Sequence, residues 1–164
     1  IIAQWRGLRG FERFDLSKSD SSENNLLLLM FNNTNWANVG DATGLRGSTT
    51  AGSFYATTHT ANPGETGNQT SSESAYTSYA RVAIPRSSGG FTVSGTNPTQ
   101  AANAGATTHP ACTGGSETES YFDNGRASSS TGEITHSGAL NATLLVSNGI
   151  TPSFGAGSYV ITED

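Results

Sequence analysis

The chain has 164 residues, enough for one domain with a real core. Only 34% of it is hydrophobic and 13% charged, so the low hydrophobicity joined to high charge that marks disordered chains is missing. The net charge is −5, with no Lys and only four Arg beyond residue 20, which argues against direct nucleic-acid binding and against an anionic membrane surface.

Ser, Thr and 20 Gly give the chain a polar, uncharged character that suits β-structure with many turns. The longest apolar run, Leu26 to Phe31, is far short of a membrane span. Cys112 is the only cysteine, so no internal disulfide is possible, and a small quiet packing residue is expected there.

Residues 1–15 (IIAQWRGLRGFERFD) differ from the rest. Trp5, Leu8 and Phe11 fall at i, i+3, i+6, as in an amphipathic arm. The alternative is translated upstream sequence with the true start at Leu16, and an N-terminal mass separates the two. Residues 16–52 are expected to be a helix and a loop, and residues 53–164 a β-sandwich domain.

Asp20 to Glu23 has the form of a capping box, and the spacing predicts a helix over residues 21–33. Its run Leu26 to Phe31 is apolar nearly all round. One side should lie on the sheet, and Leu28 and Phe31 are expected to face outward to a second protein. Asn32, Asn33 and Asn35 end the helix, Trp36 and Val39 pack beneath its exit, and Asp41 to Thr50 reads as a loop.

From Ser53 the period falls to two, predicting a strand to His59, and Asn62-Pro63-Gly64 is a turn followed by a polar loop to Ser74. Tyr76 to Ile84 reads as the clearest strand, ended by Pro85, with Phe91 to Ser94 as its short return. Thr96 to Gly105 reads as loop and Ala106 to Cys112 as a strand. Glu117 to Asp123 is a strand closed by the hairpin dipeptide Asn124-Gly125. Glu133 to Leu140 and Ala142 to Ser147 are two more, Asn148-Gly149 turns, and Ser158 to Thr162 is the last. The expected fold is mainly β: an antiparallel β-sandwich or jelly-roll-like barrel with one short N-terminal helix.

The search for chemistry returns little. There is no nucleophile elbow, zincin helix or phosphate loop. His59, His109 and His136 are isolated in sequence and read as structural. Glu117 and Glu119 share a strand face; a solvated acidic face is favoured over paired-carboxylate catalysis because no aromatic sugar platform surrounds them. Three Asn-x-Thr matches, at Asn32, Asn68 and Asn141, are expected by chance in this composition. No catalytic residue, cofactor or metal is therefore expected. Arg81 and Arg86 flank the expected central strand. They suit either bidentate contact with a neighbouring subunit's carboxylate or a local pair within the chain.

The stretch His59 to Val93 resembles a family of small virion proteins of tailed phages, described as tail-fibre-like or as head decoration proteins. The family pattern is a strand ending His-Thr-Ala-Asp-Pro, a polar loop, then Tyr-Ala-Arg-Val-Ala; here it reads His59-Thr60-Ala61-Asn62-Pro63 and Tyr79-Ala80-Arg81-Val82-Ala83. The opening Ser17-Lys18-Ser19-Asp20 with its Leu-rich helix and the ending from Val146 to Asp164 are also similar, so the likeness covers roughly residues 16–164. His109 stands where the family has an apolar aromatic, and Tyr121-Phe122-Asp123 where it often has an aromatic-Gly strand. The resemblance implies a structural, non-enzymatic virion role and no catalytic residues. A capsid decoration (cement) protein is the leading expectation, a homo-oligomer on the major capsid protein lattice. A tail or tail-fibre part bound to tail proteins comes second, and a glycan-binding or glycan-degrading virion module third.

Overall fold

The computed structural model describes residues 19–36, 51–96 and 98–163. The N-terminal arm, Val39 and the loop Asp41 to Thr50 lie outside the described residues.

Helix α1 runs Asp20–Asn32. Its N-cap is Ser19, whose hydroxyl accepts from the backbone N–H of Ser22 at 3.3 Å. The capping-box expectation at Asp20 thus shifts by one residue. Asn33 ends the helix in the left-handed conformation at φ 51°, a geometry in which Asn is tolerated.

Nine strands follow among the described residues: β1 Ser53–His59, β2 Val82–Pro85, β3 Phe91–Ser94, β4 Thr99–Asn103, β5 Thr107–Thr108, β6 Ser116–Gly125, β7 Ile134–Ser147, β8 Ser153–Phe154 and β9 Val160–Glu163. They form an antiparallel four-stranded sheet ordered β2-β1-β6-β7 and an antiparallel three-stranded sheet ordered β3-β4-β9, with a small β5-β8 pair. The protein is mainly β with one helix, in the manner of a β-sandwich; the barrel alternative does not hold, because the sheets do not close.

The core lies between the two larger sheets. Phe54, Ala56, Ile84 and Phe122 enter it from one, and Phe91, Ala101 and Ile161 from the other. Leu27 and Phe31 of α1 plug it from the side, with the Phe31 ring 5.0 Å from Phe54 and 4.6 Å from Phe91. Offset and tilted ring pairs of this kind contribute beyond the area they bury. The outward placement expected for Phe31 is therefore corrected: the ring is fully buried.

Several strand limits also differ from the sequence reading. Tyr76 to Arg81 is not strand, because this segment spends its backbone on turns and bridges such as Thr77 with Gly114. Thr99–Asn103, read as loop, is the central strand of its sheet. Asn124-Gly125 is no hairpin turn; it continues β6. The two strands expected between Glu133 and Ser147 are one, yet the register slips between Glu119 and Tyr121, opposite residues 140–143, where the sequence suggested a break.

Candidate functional site

Several of the polar side chains singled out in the sequence, His59, Arg81, His109, Glu117 and Glu119, meet around one loop, while Arg86 and His136 lie elsewhere. Residues 60–81 leave β1, cross the face of β1 and β6 that points away from the apolar core, and return to β2. Thr57, Thr58, His59, Gln69, Ser74, Glu119, Asp123 and Asn124 are all buried there or beside it. Buried polar groups cost several kcal/mol unless bonded, so their partners matter.

His59 and Asp123 sit diagonally across the β1–β6 register, in which Thr57 faces Asp123 and His59 faces Tyr121. Their side chains meet at 2.7 Å, both fully buried, and the His59 Nδ1–H donates to the Ser71 carbonyl at 2.9 Å. Gln69 reaches down from the loop. Its amide nitrogen donates to Thr57 Oγ1 at 2.9 Å, and its amide oxygen accepts from the Ala127 N–H at 2.9 Å. This explains two glycines. A Cβ at Gly125 or at Gly132 would lie 2.0 Å from the Gln69 side chain. Gly125, which reads as a turn residue, is thus required by close approach.

Arg81 clamps the far end of the loop. It pairs with both Glu73 oxygens, at 2.7 and 2.8 Å, and donates to the Ala127 and Ser130 carbonyls. Hydrogen bonding to Glu73 holds the guanidinium above its ordinary range, against the effect of burial. Arg86 donates to the carbonyls of Leu29 and Met30 in the last turn of α1 and to that of Ala51. These are the carbonyls a helix leaves unpaired, and a cation there also complements the helix dipole. Burial lowers the Arg86 pKa, with the charge of Arg126 adding to the effect. Arg81 thus pairs with a carboxylate of its own chain, and Arg86 bonds carbonyl oxygens of its own chain. Leu28, the other residue expected at an interface, is half-buried.

The carboxylates of β6 form no solvated acidic face. Glu117 accepts from the backbone N–H groups of Ala75 and Tyr76. Glu119 is fully buried, and its Oε1 accepts from the hydroxyls of Thr58 and Ser74 at 3.0 and 3.1 Å. Burial raises the Glu119 pKa, the two hydroxyls work against that rise, and the charge of Glu117 adds to it. Tyr76 is pushed up to about 12, first by burial and then by Glu119. His109 is buried, stacked on Tyr79 with centroids 5.8 Å apart, and lowered by burial. Cys112 packs with Tyr76 and Val146. Among the described residues, no group of three or more His, Cys, Asp or Glu is placed to hold a metal ion, and no helix is long and apolar enough to cross a membrane.

The second feature is an open groove of about 760 Å³ between β7 and the β8–β9 segment. Phe122, Phe154 and Tyr159 form part of its lining, and Leu140, Leu144 and Val160 lie along it. Nothing in the local pattern marks this groove: apart from Phe122, its walls are residues 136–142, 144, 152–154 and 158–162, which only the folding-back of β8 and β9 sets against β7. No family model matches the chain, and no curated protein matches it either.

Proposed function

We propose that this chain is a structural, non-enzymatic protein of a tailed-bacteriophage virion: a capsid decoration protein that sits as an oligomer on the capsid lattice. The observation that carries this reading is where the family-like residues lie. His59 and Arg81, which anchor the two halves of the motif, both fasten the loop 60–81: His59 ties it to β6 through Ser71 and Asp123, and Arg81 ties it to itself at Glu73 and to the β6–β7 connection at Ala127 and Ser130. A likeness that falls on fastening residues speaks for a shared scaffold rather than for shared chemistry. The polar groups capable of chemistry, Glu117, His59 and Asp123 among them, are engaged in holding the chain's own backbone and side chains. A lattice of many identical sites also lets each copy bind weakly, because avidity supplies the hold.

Copy number in purified particles tests the reading. Decoration requires a number in step with the capsomers. A few copies per particle would instead assign the protein to the tail, and its absence from particles would overturn both roles.

A further inference from the structure

We propose that β7 is a self-association strand: its outer edge pairs antiparallel with the same strand of a second copy across a two-fold axis. This deepens the oligomeric part of the proposed function and rests on that reading.

Among the described residues, strand β7 is the end strand of its sheet and pairs with β6 alone. It is 14 residues long, far beyond a common strand, and its sequence ITHSGALNATLLVS holds no Asp, Glu, Lys, Arg or Pro. Monomeric proteins blunt such edges with charge, proline or brevity, because unpaired N–H and C=O groups invite another strand. None of those devices is present here. The large apolar side chains left exposed among the described residues gather at the same border. Leu144 and Leu145 are 36% and 61% exposed on β7, Ile150 is 39% exposed just after it, and Val160 is 44% exposed across the groove.

Charge selects a second copy as the occupant. The chain carries −5 overall, so two copies repel over most of their surfaces. In an antiparallel two-fold pairing, residues near the axis lie close to their own counterparts, and any charge there would face its like. A neutral strand alone avoids that cost. The neighbouring carboxylates are engaged: Glu119 is buried, Glu117 is bonded to the loop backbone at Ala75 and Tyr76, and the exposed Glu133 just before β7 is paired with Arg126 at 3.1 Å. A strand built for a charged foreign partner would carry the complementary charge, and β7 carries none.

Sedimentation of the purified full-length chain tests the proposal. The wild type is expected at twice the single-chain mass or a multiple of it. The double variant Thr143→Lys, Leu145→Lys should fall to the single-chain mass with an unchanged circular dichroism spectrum, while Ser88→Lys, on the exposed turn before β3, keeps the wild-type mass. Single-cysteine variants at the exposed positions Ala139, Asn141, Thr143 and Leu145 in a Cys112→Ser background should include one, nearest the two-fold axis, that cross-links to itself on oxidation, a readout independent of how the lysine variant folds. A wild type at single-chain mass, a lysine variant that keeps the wild-type mass, or no cross-link would each overturn the assignment. A chain that pairs through β7 but is missing from particles would sink the virion reading and leave this one standing.

Discussion

The centre of the four-stranded sheet and its rim treat their polar groups in opposite ways. At the β1–β6 centre, side chains from a distant loop are brought in to bond buried partners, as Gln69 does for Thr57 and Ser74 for Glu119. At the β7 rim the outer edge has no strand partner among the described residues, and the apolar residues Leu144 and Leu145 are exposed. Ionisable groups such as Glu119 and Asp123 gather at the centre, and β7 holds no Asp, Glu, Lys or Arg. Stability in this composition therefore comes from completing hydrogen bonds around a small aromatic core, and whatever edge is left incomplete is open to another chain.

The largest expected effects lie at the centre. Phe31→Ala removes the ring that joins helix and both sheets, and should cost about 3–5 kcal/mol in urea unfolding. A loss below about 1 kcal/mol would put Phe31 at the surface instead. Asp123→Ala leaves the His59 ring buried without its partner and should cost a similar ~3–5 kcal/mol; proteolysis within residues 60–74 would then rise with it. Gln69→Ala strips bonds from Thr57 and the Ala127 N–H, for an expected loss of roughly 1–3 kcal/mol.

Glu119 sharpens the comparison through pH. Its carboxyl is held above its ordinary 4.5 by burial, so the folded state favours the protonated form. The resulting stability is complete below 4.5 and is lost as pH rises through the raised value. Glu119→Gln should match the wild type in acid and exceed it near neutrality. A wild type that gains on the Gln variant as pH rises would contradict this. The smallest effect belongs to the rim: Leu145→Lys should change the stability of a single chain by no more than about 0.5 kcal/mol. A larger loss, measured on the dissociated chain, would mean that Leu145 is core and the rim is closed.

Local rules made part of this legible. The helix is set by Ser19 and Asn33 at its ends, and its existence follows from residues 20–33 alone. Alternation placed β1 at Ser53–His59, and the turn before Phe91 placed β3 at Phe91–Ser94. Thr99–Asn103 escaped because TQAAN has small and polar side chains with no strand pattern; it is a strand because β3 and β9 bond it on both sides. Tyr76 to Arg81 failed in reverse. Its alternating side chains look like a strand, but Ser78 takes a positive φ of 82° and the segment breaks.

By itself the sequence determined a β-rich chain with one capped helix, because capping, alternation and turn chemistry act over a few neighbouring residues. Only the tertiary structure decided that Phe31 points inward, that Arg81 and Arg86 bond within their own chain, and that Gly125 makes room for Gln69. It also decided that β7 is the end strand of its sheet among the described residues. Each of these depends on which distant segment arrives at the residue, and a contact made across the fold leaves no mark on the local pattern that the sequence displays.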